Sequence, residues 1–141
     1  MPANRRRIEL LHRVSRLREL EKRKAAVRLA EAQGLHSKLL ALHGRSSEIV
    51  ASYSSRRDWS TGGDLAGQLR FTAGVEVIRG ETANESRKAE DTTRTAMTQL
   101  RSAERRHEVT AQVLSDQQRA ARIAVEKRDA AELARKLKGH V

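Results

Sequence analysis

Side chains with reactive or metal-ligating chemistry are sparse in this chain of 141 residues, and their spacing does not assemble a reaction centre. His36 and His43 stand seven residues apart, which sets both imidazoles on one face of a helix and supplies half of a metal site. The other half is missing. There is no cysteine and no His-x-x-x-His pair, and in an antiparallel hairpin turning near residue 62 the two rings lie opposite positions 80–88, far from His107. They read as ordinary seam or surface histidines. Gly62-Gly63 and Gly67 resemble the glycine content of a phosphate cradle, but no Lys-Ser/Thr comes after them and no buried strand precedes, so the segment reads as a flexible turn. Glu104 and Glu108 each stand three residues after an arginine, Arg101 and Arg105, and read as solvated ion pairs on a helix face. Nothing on an open helix surface desolvates a carboxylate for acid–base work. No catalytic, cofactor-binding or metal-ligating residue is therefore assigned, and no small-molecule ligand is expected. What remains is the chemistry of recognition.

That chemistry is carried by arginine and lysine, and their placement is uneven. The chain has 29 basic and 18 acidic residues, a formal charge of +11. Residues 1–28 hold ten basic and three acidic side chains, residues 115–141 seven and four, and the whole stretch 29–114 only twelve and eleven. Nearly all of the excess lies at the two chain ends. If the chain folds back on itself, the ends meet in one basic tip beside a nearly neutral remainder, and the tip is a docking surface for something acidic.

The elements that would bring the ends together are helices. Only three residues are aromatic (Tyr53, Trp59, Phe71) and one is proline (Pro2), while Ala, Leu, Arg, Glu, Lys and Gln dominate both halves. A first helix is expected over about 5–57. Steps of three and four residues through Leu11, Val14, Arg18, Glu21, Ala25, Arg28, Ala32, Leu35, Leu39, Leu42, Ser46, Ile49 and Tyr53 give its inward stripe, with charged interruptions between Arg18 and Arg28. The concentrated breaker region, Asp58-Trp59-Ser60-Thr61-Gly62-Gly63-Asp64, marks a turn over about 58–64. There the glycines supply backbone freedom, and Asp64 or Ser60 caps the next helix. That second helix is expected over about 65–137. Gly67, Gly74 and Gly80 each cost about 1 kcal/mol relative to Ala in a helix, so its early part should fray. From Ala89 its stripe runs Thr93, Ala96, Leu100, Ala103, His107, Thr110, Leu114, Gln117, Ala121 and Ala124, small residues that let two helices approach closely. The expected fold is all-α, a single long antiparallel two-helix coiled-coil hairpin over 1–141, monomeric when free. Two such chains forming a four-helix bundle is the alternative assembly.

No stretch approaches the roughly 20 apolar residues needed to span a bilayer. Arg5-Arg6-Arg7 resembles the start of a signal peptide, but Arg13, Arg16 and Arg18 break any apolar run behind it, and a cytoplasmic protein with an uncleaved N-terminus is expected. The absence of cysteine fits that compartment. The basic tip has two functional readings. Nucleic acid is the generic partner of such a charge, but the basic ends hold no aromatic residue for stacking and no groove-reading motif. A protein socket with acidic walls is the other. In it Ile8, Leu10, Leu11, Val14, Leu17 and Leu20 pack inward while Arg13, Arg16 and Arg18 find acidic partners around them. A plain solvated face is the third possibility.

The opening Leu17-Arg18-Glu19-Leu20-Glu21-Lys22-Arg23, continued by Ala25-Ala26-Val27-Arg28-Leu29-Ala30-Glu31-Ala32, resembles the first helix of the FliJ family, cytoplasmic components of the bacterial flagellar type III export apparatus. The length, the glycine-containing turn, Phe71 with Val75 and Ile78 after it, and the charged, Ala-rich return helix are similar too. The resemblance implies a two-helix hairpin similar to the central stalk of rotary ATPases and to the YscO-type proteins of virulence secretion. Such a protein inserts its paired terminal helices into the export ATPase hexamer, promotes ring assembly, contacts the membrane export-gate protein and engages the chaperones of late substrates. By matching position it implies ATPase contacts at Arg13, Val14, Arg16, Leu17, Arg18, Leu20, Arg128, Leu133 and Leu137. It implies export-gate contacts at Leu42, Ile49, Tyr53, Phe71, Val75 and Ile78. The implied location is cytoplasmic, peripheral to the inner membrane at the flagellar basal body. The chain departs from the family's pattern where Gly67 and Gly74 flank Phe71 and where residues 54–57 are Ser/Arg-rich. The stalk of a virulence-type secretion ATPase, and a basic coiled coil that binds nucleic acid, are the competing readings.

Overall fold

The structure, a computed structural model, describes residues 2–139 and contains two helices, α1 (Pro2–Ser54) and α2 (Gly62–Gly139), packed against each other as a helical hairpin. The all-α hairpin expected from the stripes is the fold. Its boundaries differ by a few residues. α1 begins at Pro2, a residue suited to the first helical turn because its missing N–H would have no helical partner there. It ends at Ser54 rather than near 57, with the Arg56 amide donating to the Tyr53 carbonyl (3.3 Å).

α2 begins at Gly62 rather than 65, because the cap is Thr61 and not Asp64 or Ser60. Thr61 Oγ1 accepts the Asp64 amide (3.1 Å), while the Asp64 carboxylate accepts from the Ser60 amide (3.3 Å) and the Ser60 hydroxyl (2.6 Å). Gly62 and Gly63 thus lie in the first turn of α2 with ordinary negative φ, and supply no left-handed backbone. The segment expected to fray is helical throughout. Gly67, Gly74 and Gly80 all sit on its exposed side, while Gln68, Thr72, Val75 and Arg79 face inward. Packing along that face outweighs the local glycine cost.

The chain divides into two compact units, residues 25–99 and residues 1–24 with 100–141. In the first unit the buried residues are small or β-branched: Ala25, Ala32, Ser46, Val50, Val75, Thr82, Ser86, Ala89 and Ala96. On α1, the positions expected at every seventh residue (Ala25, Ala32, Leu39, Ser46, Tyr53) do face α2. The intermediate ones are displaced by one. Leu29, His36, His43 and Val50 point inward, while Arg28, Leu35 and Leu42 stay exposed and Ile49 is half-buried. The observed stripe keeps the alternating steps of three and four residues, and the bulkier Leu35 and Leu42 remain outside it. His43 is accommodated by its Nδ1, which donates to the Arg79 carbonyl (3.1 Å).

In the second unit Ala103 is the most buried residue, at 3 % exposure, and Leu100, His107, Thr110, Leu114, Gln117 and Ala121 are half-buried, as the stripe predicts. Ala124 is the exception, exposed like every other residue from 122 to 139. Asn4, Arg5, Ile8 and His12 of α1 line one hollow with Ala121, Ala124, Val125 and Arg128 of α2. Across the pair, His107 Nε2 is 3.1 Å from Glu19 Oε2, and the Gln118 amide donates to His12 Nε2 (3.2 Å).

Candidate functional site

Each unit presents a surface. In the unit of 1–24 and 100–141, α1 has two faces. Ile8, Leu11, Val14, Ser15 and Arg18 are half-buried, whereas Leu10, Leu17 and Leu20 are exposed by 59 %, 56 % and 52 %. Leu10, Arg13, Leu17, Leu20 and Lys24 are spaced by three and four residues and form one outward stripe of alternating apolar and basic character. The six apolar residues expected to pack inside a protein socket are thus divided between the two faces. Three of them serve the helix pair, and three are left for something else.

Among the candidate ATPase contacts, Arg13, Arg16, Leu17, Leu20, Arg128, Leu133 and Leu137 are exposed, and Val14 and Arg18 belong to the helix interface. Arg18 is the unusual member. Its Nη1 donates to Glu21 Oε2 (3.0 Å), but its Nε is buried and has no hydrogen-bond partner. Leu133 (60 %) and Leu137 (63 %) lie on α2 beyond the hollow lined in part by Arg128, and Ile123 and Val125, which the stripe through Ala124 had not singled out, are exposed as well. This unit holds 19 basic and nine acidic residues, +10 of the chain's +11.

In the unit of 25–99, which carries ten basic and nine acidic residues, all three aromatic rings gather at the turn. Tyr53 and Phe71 meet at a ring-centroid distance of 4.7 Å, Arg56 stacks over Tyr53 at 4.1 Å, and Arg57 lies over Trp59 at 5.8 Å. Gln68 ties the turn together. Its amide donates to the Tyr53 carbonyl near the end of α1, and its carbonyl oxygen accepts from Trp59 Nε1 (2.7 Å). Nothing in the sequence marked Gln68 except its place seven residues before Val75 on the inward stripe. Of the candidate gate contacts, Leu42 (46 %), Phe71 (47 %) and Ile78 (45 %) are exposed, and Ile49 and Tyr53 are half-exposed. Val75 faces α1 with 9 % exposure, so it supports this surface from below and does not present itself to a partner.

Among the described residues no group of three or more His, Cys, Asp or Glu side chains is gathered as a metal site would require, and no helix is long and apolar enough to cross a membrane. In comparisons with protein-family profiles, curated proteins and solved structures, nothing matches this chain.

Proposed function

We propose that this chain is a non-enzymatic, central-stalk-like component of the bacterial flagellar type III protein-export apparatus. In this reading its terminal unit inserts into the export ATPase hexamer and promotes ring assembly. The turn-end surface contacts the membrane export gate, and the protein also engages late-substrate chaperones. It works in the cytoplasm, peripheral to the inner membrane at the flagellar basal body.

The observation that carries the reading is the interleaving of outward Leu10, Leu17 and Leu20 with Arg13 and Lys24 in a unit of net charge +10. Phosphates alone would need the cations but not exposed leucines between them. An apolar socket rimmed by carboxylates uses both, the leucines for affinity and the cations for steering and register. The family resemblance of residues 17–32 supplies the identity of that socket. A virulence-type secretion ATPase would offer the same kind of socket.

Leu17→Asp and Leu20→Asp test the insertion. Both residues are more than half exposed, so helicity should be unchanged by circular dichroism while stimulation of the cognate ATPase is lost. Normal stimulation by both variants rejects the reading. Gel-shift binding of nucleic acid that survives these substitutions would favour the basic nucleic-acid-binding alternative.

A further inference from the structure

In the unit of 25–99, α1 carries more apolar surface than one neighbouring helix covers. Besides its inward stripe it has Leu35, Leu42 and Ile49 at seven-residue spacing, three positions flanking one edge of the interface. Phe71 and Ile78 repeat the same spacing on α2, a series that continues through the charged Glu85 to Thr92 and Gln99. Both series lie on one side of the hairpin, because Leu35 of α1 and Thr92 and Gln99 of α2 line a common groove of about 590 Å³ floored by Ala32 and Ala96. An isolated helix pair needs apolar residues at two of seven positions. A third is the pattern of helices that meet a further neighbour in a bundle.

We infer that this side of the hairpin is the interface for a second copy of the same chain, joined two-fold as a four-helix bundle. The charges select that occupant. The unit is nearly neutral, with ten basic and nine acidic residues, so two copies meet here without repulsion. The groove itself carries Arg28 and Glu31 on α1, and Asp91 on α2. A two-fold contact is self-complementary, so Arg28 of each copy is offered Asp91 of the other, twice over. A strongly acidic partner would meet two carboxylates in this groove, and the single negative charge left over is too small to select a strongly basic one. This inference does not rest on the export reading, although Leu42, Phe71 and Ile78 would serve both surfaces, so pairing would compete with any other partner that docks there.

Light scattering coupled to size exclusion, on the full chain from micromolar to submillimolar concentration at low and high salt, tests it. The expected mass rises toward twice the 15.8 kDa of one chain, and rises further with salt, which screens the repulsion of the +10 units and leaves the apolar contact intact. Leu35→Glu and, separately, Thr95→Arg place a charge in the groove at exposed positions. Each should weaken dimerisation at least about tenfold while helicity is retained. A monomer mass at every concentration in high salt overturns the inference, as does dimerisation of both variants with the affinity of the unsubstituted chain. Neither result touches ATPase stimulation, which is read separately.

Discussion

Arg18 is the residue at which stability and recognition pull apart. It occupies an inward position between Leu11 and Ala25, has one ion pair with Glu21, and leaves a buried Nε–H without a partner. A buried donor left unsatisfied costs about 1–3 kcal/mol, so Arg18→Leu should stabilise the chain by roughly 1 kcal/mol in urea denaturation. A clear loss of stability would mean that the guanidinium packs better than its hydrogen bonding indicates. Asp64 offers a second test at this scale. The Ser60 hydroxyl and amide, with help from Thr61, hold its carboxyl below the ordinary value of 3.8. A lowered folded-state value adds stability that is complete above the unfolded value and disappears as the pH falls through the folded one. Melting temperature should therefore fall more steeply below about pH 4 in the parent chain than in Asp64→Asn. Parallel acid profiles would show that the capping carboxylate contributes nothing.

The helices were legible where only one choice of stripe existed. From Ala89 to Ala121 in α2 every expected inward residue is buried or half-buried, because small residues alternate with plainly charged ones. In α1 the neighbours Arg28/Leu29, Leu35/His36 and Leu42/His43 offered two adjacent stripes. Apolarity favoured the leucines at 35 and 42, yet the histidines went inward, where the small side chains of α2 set the helix spacing. The start of α2 was legible in principle, since Thr61-Gly62-Gly63-Asp64 has the spacing of a capping box. Reading the glycines as turn residues hid it. The unequal lengths of the helices, 78 residues against 53, follow from a turn placed at residues 55–61. Of the candidate contacts, exposure at Leu17, Leu20, Leu42, Phe71 and Ile78 was foreseeable as apolar residues in excess of one seam. The burial of Val75 was not, because it depended on which stripe turned inward. At this scale the exposed glycines are the adjustable parts. A Cβ at Gly74 meets nothing within 4 Å, and its φ is ordinary. Gly74→Ala should thus stabilise the hairpin by about 1 kcal/mol and raise its melting temperature. A drop would mean that close approach, unseen in the free chain, requires the glycine.

Over the whole molecule the division of charge matches the division of structure. One unit holds +10 and the other +1, although neither is evident from the composition as a whole. Exposed charge of one sign steers acidic partners over a distance set by salt, about 10 Å at 0.1 M. In the proposed function the exposed leucines within the same unit hold the partner once it has been steered. The two proposed interactions are therefore expected to respond oppositely to salt, with acidic-socket binding weakened and pairing through the neutral unit strengthened. The decisive measurement is the hydrolysis rate and oligomer size of the cognate export ATPase, with and without this chain, across a salt series. The account predicts stimulation with ring formation at low salt, fading as salt rises. An ATPase whose rate and assembly are unchanged by the chain at every salt concentration would contradict it.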